Sequence, residues 1–403
     1  MKTAALISAL AVLAATSATR ADDWPNYRGP HYDGISTEKG WNPQFPGGGP
    51  KVLWKSSVGT GFSSFSVADG RVFTTGNEDN ADTVFCFDAV TGKEIWKQSY
   101  PSDLGDKFFE GGTSCTPTVA GDRVYQLSRW GDAFCYDAAT GKIIWSKNVQ
   151  KETGAKIPDW GYGGSPLVQG KLVILNVGGA GLALDKETGK IVWKSDTESA
   201  GYSTPMPVTR GGLTTALLAA GKKYQAVDIS NGAKIWEFPW PTRYEVNAAA
   251  PIVSGDMVFI SAGYNHGSAL INVSGSTPTV VWQNKDLRNQ FSSSVLIGGY
   301  LYGIDNDQNT KASLRCVDMA KGEVKWKDEA VGFGSLMAAN DTLIVLTAKG
   351  ELITAKASPE KFDVISRAKV LTGKCWSAPV LANGRLYCRN AAGDVVCLDV
   401  SKK

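Results

Sequence analysis

Between Cys115 and Lys147 apolar and polar residues alternate in four short runs, CTPTVAGDRVYQLSRWGDAFCYDAATGKIIWSK, broken by Gly-Asp, Trp-Gly-Asp and Thr-Gly. A period of two marks half-buried strands, and the breakers mark hairpin turns. The last hairpin, DAATGKIIW (Asp137–Trp145), recurs as DAVTGKEIW (Asp88–Trp96), DKETGKIVW (Asp185–Trp193), DISNGAKIW (Asp228–Trp236) and DMAKGEVKW (Asp318–Trp326). Two residues before the turn Asp lies a slot held by Cys86, Cys135, Ala183, Ala226, Leu270, Cys316, Ala355 and Cys397. The eight copies are spaced 49, 48, 43, 44, 46, 39 and 42 residues apart. Four strands repeated every 45 residues or so make a propeller blade. The pattern therefore predicts an all-β chain, an eight-bladed β-propeller of four-stranded antiparallel blades.

Within each hairpin the Asp is placed to accept hydrogen bonds from turn amides, and the Gly supplies positive φ. Trp96, Trp145, Trp193, Trp236 and Trp326 stand ten residues after their slots, on the outer strand, where a large ring can wedge against the next blade. The fifth copy reaches Trp282 after the insertion SGSTPT, and the seventh puts Ile365 at the Trp position. The eighth ends before a Trp, while Trp54, in PKVLWKSSVG, precedes the first hairpin. The strand of Trp54 is thus expected to complete the C-terminal blade, closing the ring and removing its free sheet edges.

Lys2, the apolar run Ala4–Ala15 and the small residues ending at Ala21 read as a signal peptide cleaved near Ala21, too short to span a bilayer. Residues 1–21 are assigned to it, 22–50 to a lead-in and 51–403 to one propeller. Without Lys2 and Arg20 the 42 basic residues become 40 against 39 acidic, so no basic footprint for nucleic acid remains. Four of the seven Cys occupy the repeated slot and read as small buried residues. Cys388 and Cys397 flank the turn RNAAGDVV, and counting across it places them on one face of a hairpin, a spacing compatible with a disulfide without requiring one.

The hairpin A-x-D-x-x-T-G-x-x-x-W resembles the tryptophan-docking repeat of the PQQ-type propellers, and WPNYRGPHYDGIS (Trp24–Ser36) resembles the lead-in of exported PQQ-like repeat proteins. The resemblance covers nearly all of the chain after residue 21. It implies the propeller fold and leaves two kinds of function open, because the family holds both quinoprotein dehydrogenases and the propeller of the outer-membrane β-barrel assembly machinery. The dehydrogenases carry adjacent cysteines under the quinone, and some carry a C-x-x-C-H haem site. This sequence has neither, and no Cys follows its apolar run as a lipid anchor would need. His31 and His266, its two histidines, stand in no metal-ligand cluster and read as structural or surface residues.

Departures from a repeat are where specificity is expected. A second slot, at the start of each inner strand, holds Pro117, Pro166, Pro205, Pro251 and Pro379 with Phe65, Ser294 and Leu336. Three residues before it stand Phe62, Tyr202, Phe291, Phe333 and Trp376, expected to gather at the channel mouth as a stacking surface or as packing between blades. Seven residues before it stand Glu110, Asp159, Glu198 and Glu329, which would either converge on a cation such as Ca²⁺ or form a solvated rim. Two connections are long, Trp96 to Pro117 and Trp145 to Pro166, and carry Phe108, Phe109, Glu110, Asp159, Trp160 and Tyr162. These aromatics mixed with charges suit a contact patch or two loops packed on each other. The favoured reading is an exported, monomeric, non-catalytic scaffold binding a protein, peptide or glycan on this loop face. The alternative is a small oxidoreductase of the quinoprotein alcohol dehydrogenase type, with PQQ and Ca²⁺ at the channel mouth.

Overall fold

A computed structural model describes residues 23–305 and 311–402. The signal-peptide assignment lies outside them. Eight sheets follow one another around a ring, each with the four antiparallel strands of a blade, consecutive in the chain in seven of them. Blade 1 spans residues 66–101, blade 2 118–148, blade 3 167–194, blade 4 206–239, blade 5 252–284, blade 6 295–328 and blade 7 334–369. Blade 8 takes three strands from 380–399 and its outermost one from Lys51–Ser57. Trp54 pairs with Cys397 across that closing ladder. No helix among the described residues is long and apolar enough to cross a membrane.

The repeated slot faces the outer-strand Trp in seven blades. Cys86 pairs with Trp96, Cys135 with Trp145, Ala183 with Trp193, Ala226 with Trp236, Leu270 with Trp282, Cys316 with Trp326 and Cys397 with Trp54. Each of these ladders carries a bulge just before the Trp; in blade 7 it falls one residue later, so that Val364, not Ile365, stands opposite Ala355. Each of these indoles except that of Trp236 donates to a carbonyl just past the slot of the next blade. The distances are 3.2 Å for Trp54 to Ala89, 3.0 Å for Trp96 to Ala138, 2.8 Å for Trp145 to Lys186 and 2.7 Å for Trp193 to Ile229. Trp282 and Trp326 reach Met319 and Ser358 in the same way, both at 2.8 Å.

Trp236 lacks this bond for a local reason. The insertion after blade 5's slot replaces the Asp-turn-Gly hairpin, and Arg210 reaches the Val273 carbonyl instead, at 3.5 Å. The turn glycine has two tasks where the hairpin is regular. Gly189 has φ +68°, and a Cβ there would lie 2.7 Å from the Trp145 ring. Its turn is tied down by Asp185, whose Oδ1 accepts from the Thr188 amide at 2.9 Å and the Thr188 hydroxyl at 2.7 Å.

All seven cysteines are buried and free. The expectation that Cys388 and Cys397 share a face is corrected by the register. Cys388 pairs with Val396 and Cys397 with Tyr387, so the two thiols leave the sheet on opposite faces.

The lead-in crosses one end of the channel. Trp24 bridges Val67 of blade 1, and the Pro25 carbonyl accepts from Val119 of blade 2 at 2.7 Å. Tyr32 packs in the core shared by blades 3, 4 and 5. Ile35–Ser36 adds a parallel strand to the inner edge of blade 7. Trp41 then bridges Ser401 beyond blade 8, before the chain reaches the closing strand.

Candidate functional site

The end of the channel away from the lead-in opens as a cavity of about 1430 Å³. Trp24, Tyr27, Arg28 and Gly34 of the lead-in form its floor. Its waist is a belt of hydroxyls at the starts of the inner strands. Thr116 accepts the Ser64 amide at 3.0 Å, Ser165 that of Thr116 at 2.9 Å, Thr204 that of Ser165 at 2.9 Å, and Ser293 that of Ala250 at 2.8 Å. The Ser and Thr before each inner strand thus fasten neighbouring blades where backbone pairing stops.

Two aromatic groups form the mouth. Phe291 stacks on Trp376 at 4.5 Å, Phe62 lies 5.7 Å from Trp376, and Phe109 lies 5.5 Å from Phe62. In the second group Trp160 stands edge-on to Tyr202 at 6.0 Å and to Tyr244 at 6.1 Å, and Tyr244 meets Tyr264 at 5.4 Å. Phe108 joins the groups by packing on Trp160 at 5.5 Å, so the two long loops do rest on each other there, yet Phe108 remains 59% exposed. Tyr244 and Tyr264 hold φ of +63° and +52°. A bulky residue in that region costs about 1–3 kcal/mol, and such strain persists only where the surroundings enforce it.

The long loops are braced from below. Buried Arg129 donates to the Leu104 and Gly112 carbonyls at 3.1 and 3.2 Å and lies 4.9 Å over the Phe109 ring. In the second loop the short helix Val149–Thr153 is capped by Asn148, whose Oδ1 accepts the Lys151 amide at 2.9 Å. The Tyr202 hydroxyl accepts from the Trp160 amide at 3.4 Å, and burial raises the Tyr202 pKa. Lys374 forms an ion pair with Glu110 and lies 4.3 Å over the Trp376 ring. Burial alone would raise the Glu110 pKa; the hydrogen bond and charge of Lys374 outweigh it and hold the carboxyl below its usual value.

Of the residues singled out in the sequence, Phe62, Phe108, Phe109, Glu110, Asp159, Trp160, Tyr202, Phe291 and Trp376 line this one cavity. Tyr162 does not: it is 1% exposed, in the core beneath the second long loop. Phe333 lies outside the lining. The proposed convergence of carboxylates fails, since Glu198 and Glu329 also lie outside, and Glu329 pairs with Lys327 and Lys311. No group of three or more His, Cys, Asp or Glu side chains among the described residues is arranged to hold a metal ion. His31 is exposed, and His266 packs edge-on against Trp240 at 4.4 Å, its pKa lowered by burial.

The sequence reading missed Arg28, Arg243, Tyr244 and Tyr264, all in the lining. A usable signal existed for Arg28, because residues 24–36 belong to no blade and must dock somewhere. None existed for Tyr264, which sits in a hairpin turn inside blade 5.

Residues 48–126 and 102–328 match the family described as "Outer membrane protein assembly factor BamB". No curated protein matches the chain. Among solved structures, BamB from Moraxella catarrhalis is similar at 14% identity with a TM-score of 0.61, over 87% of this chain and 99% of that one. Quinohemoprotein alcohol dehydrogenase from Comamonas testosteroni is similar at 14% identity with a TM-score of 0.73, over 94% and 81%. A europium-containing methanol dehydrogenase is similar at 12% identity with a TM-score of 0.68, over 91% and 89%. At such identities the likenesses concern the fold, which scaffold and enzyme share. The family match runs over well more than half of the sequence, and with the eight docked blades it makes the chain a member of the PQQ-like propeller family that carries the BamB description.

Proposed function

We propose that this propeller is an exported, non-catalytic binding or assembly scaffold that takes a protein, peptide or glycan partner on its long-loop face, over the mouth of the cavity. One observation carries the reading: aromatic residues from successive blade connections and from both long loops line a single cavity whose far end is closed by residues 24–36. Large rings held in place by packing give contact area at little entropic cost, the usual make-up of binding hot spots.

The quinoprotein reading asks for a thiol pair beneath the quinone and for carboxylates around a cation. None of the seven cysteines lines the cavity, Glu110 is engaged by Lys374, and Glu198 and Glu329 lie elsewhere. These residues do not fit PQQ with Ca²⁺, and no reaction step is derived through them.

The test is capture of binding partners from periplasmic or culture extract by immobilised protein. Phe109→Ala/Trp160→Ala is expected to abolish capture while leaving the thermal unfolding curve in place. Undiminished capture would move the site off this face. Calcium-dependent PQQ binding with dye-linked alcohol oxidation would replace the scaffold with the enzyme.

A further inference from the structure

We propose that the cavity floor is a subsite for the acid group, carboxylate or sulfate, of an acidic oligosaccharide, with Arg28 as its cation. The proposal rests on the cavity being a binding site, as argued above, and names the class of ligand.

Arg28 is 8% exposed and lines the cavity. Its Nε donates to the Tyr32 carbonyl at 3.2 Å, and its Nη2 donates to the carbonyls of Asp33 and Ser294 at 2.6 and 2.8 Å. Among the described residues its Nη1 has no hydrogen-bond partner and no carboxylate forms a salt bridge with it. The Asp33 carboxylate is turned to the Ile35 amide instead, at 2.8 Å. Carbonyls orient a guanidinium without neutralising it, and a buried charge without a counter-charge is costly. Arg389 makes the contrast. It is fully buried and likewise held by carbonyls, but its Nε, Nη1 and Nη2 are all bonded, to Asn390, Thr75 and Gly59, and it does not reach the cavity. Arg389 is a clamp between blades 8 and 1, whereas Arg28 keeps a donor in reserve at the floor.

The surroundings offer further donors. Ser165, Thr204 and Ser293 each use an oxygen lone pair on a neighbouring amide and donate their own hydrogen to nothing in the chain. Ser292 Oγ is buried without a partner. Hydroxyls so placed can give a hydrogen bond to a ligand oxygen. A guanidinium beside them is suited to a planar or tetrahedral oxyanion.

The rest of the ligand follows from the walls. The cavity exceeds the roughly 300–1,000 Å³ of a typical small-molecule cleft, so it suits several linked units. A peptide added as a strand would find the inner edges of blades 1 and 7 already taken by the lead-in. What remains is ring faces above a hydroxyl belt, which complement sugar rings with apolar faces and hydroxyl edges. The exposed acids Asp106 and Asp159 lie at the rim, so the anionic unit goes down to Arg28 and neutral units stand at the mouth.

The experiment is isothermal titration of the full chain with four ligands: tetragalacturonate, its methyl ester, a κ-carrageenan hexasaccharide and its desulfated form. At least one acidic oligomer should bind about ten-fold or more tighter than its neutral counterpart. Arg28→Gln should erase that margin, and Trp160→Ala should weaken both members of the pair. Equal affinities within both pairs, no binding by either acidic oligomer, or an unchanged margin in a folded Arg28→Gln protein overturns the proposal. If Arg28→Gln does not fold, the margin must survive in the rim variants Arg243→Gln and Lys374→Gln, and its loss there also overturns it. Partner capture lost in Phe109→Ala/Trp160→Ala, with neither acidic oligomer bound, would sink this inference alone and leave the scaffold standing.

Discussion

At the outer rim of the ring, blade after blade repeats one device: a Trp opposite the slot, its indole on the next blade's carbonyl, a turn Gly beneath the ring. At the channel mouth the positions before the inner strands carry Phe62, Tyr202, Phe291 and Trp376, and two connections are stretched into long loops. The rim is where each blade needs the same thing from its neighbour, so one solution recurs. The mouth has no neighbour to satisfy, so its residues are free to differ, and they face a common cavity instead of each other's sheets. The proposed scaffold function thus puts recognition at the inner radius and stability at the outer one, so that each can be altered without the other.

That separation can be broken first at the rim. Trp145→Ala removes a 9% exposed indole and should cost about 3–5 kcal/mol, read as a lower midpoint in chemical denaturation. Trp236→Ala should cost less than Trp145→Ala by about 1 kcal/mol, since its indole lacks the inter-blade bond. Equal losses would show that burial alone sets the docking strength. Gly189→Ala introduces a Cβ 2.7 Å from the Trp145 ring at φ +68° and should cost about 1–3 kcal/mol, although the side chain it adds is minimal. In a Trp145→Ala background that cost should shrink, because the ring it strikes is gone.

The smallest expected effect is acid sensitivity. Hydrogen bonds from Thr91, Thr140 and Thr188 lower the pKa values of Asp88, Asp137 and Asp185 in the folded state. A lowered folded pKa contributes stability that is complete above the unfolded value of about 3.9 and is lost as pH falls through the folded one. The midpoint should therefore drop below about pH 4, and Asp→Asn at all three turns should flatten that drop while leaving affinity at the mouth unaltered. A drop of undiminished size would assign acid sensitivity to other carboxylates.

The same contrast explains how much could be read from the sequence. Fold, blade number and closure were legible because eight copies of one hairpin average out local noise, and because Trp54 had no slot of its own. Ile365 does not face the slot because the bulge that precedes the Trp in the other blades falls one residue later in blade 7, where ASPEKF replaces the Thr-Gly turn, and Ile365 itself is the bulged residue. Cys388 and Cys397 were put on one face for a related reason: the tight turn around Asn390 shifts the register by one, which flips every side chain. At the mouth, counting from the inner strands found Phe62, Tyr202, Phe291 and Trp376, whose positions the strands fix. It failed for Phe333, Glu198 and Glu329, and Tyr162, chosen as a long-loop aromatic, is buried beneath its loop, because a connection's direction is set by what it packs on and spacing does not encode that. Arg28 was missed since the contact that fixes it to the ring, the Ser294 carbonyl before blade 6, lies 266 residues away.

The closing strand has a consequence for the order of events during synthesis. Residues 51–57 pair with 394–399, so the earliest part of the ring to be made waits for the latest. The lead-in waits too, because its Arg28 and Ile35 dock on blades 6 and 7. Seven blades can stack as they emerge, each on its neighbour, while a gap remains beside blade 1. Synthesis of residues 380–399 fills the gap and gives the lead-in further supports in the same step, Asn383 on Asp23 and Gly384 on Glu38. A chain cut short of blade 8 would hold most of its sheets and still have a floor without its full footing, so the cavity is finished only once the last blade has joined the first.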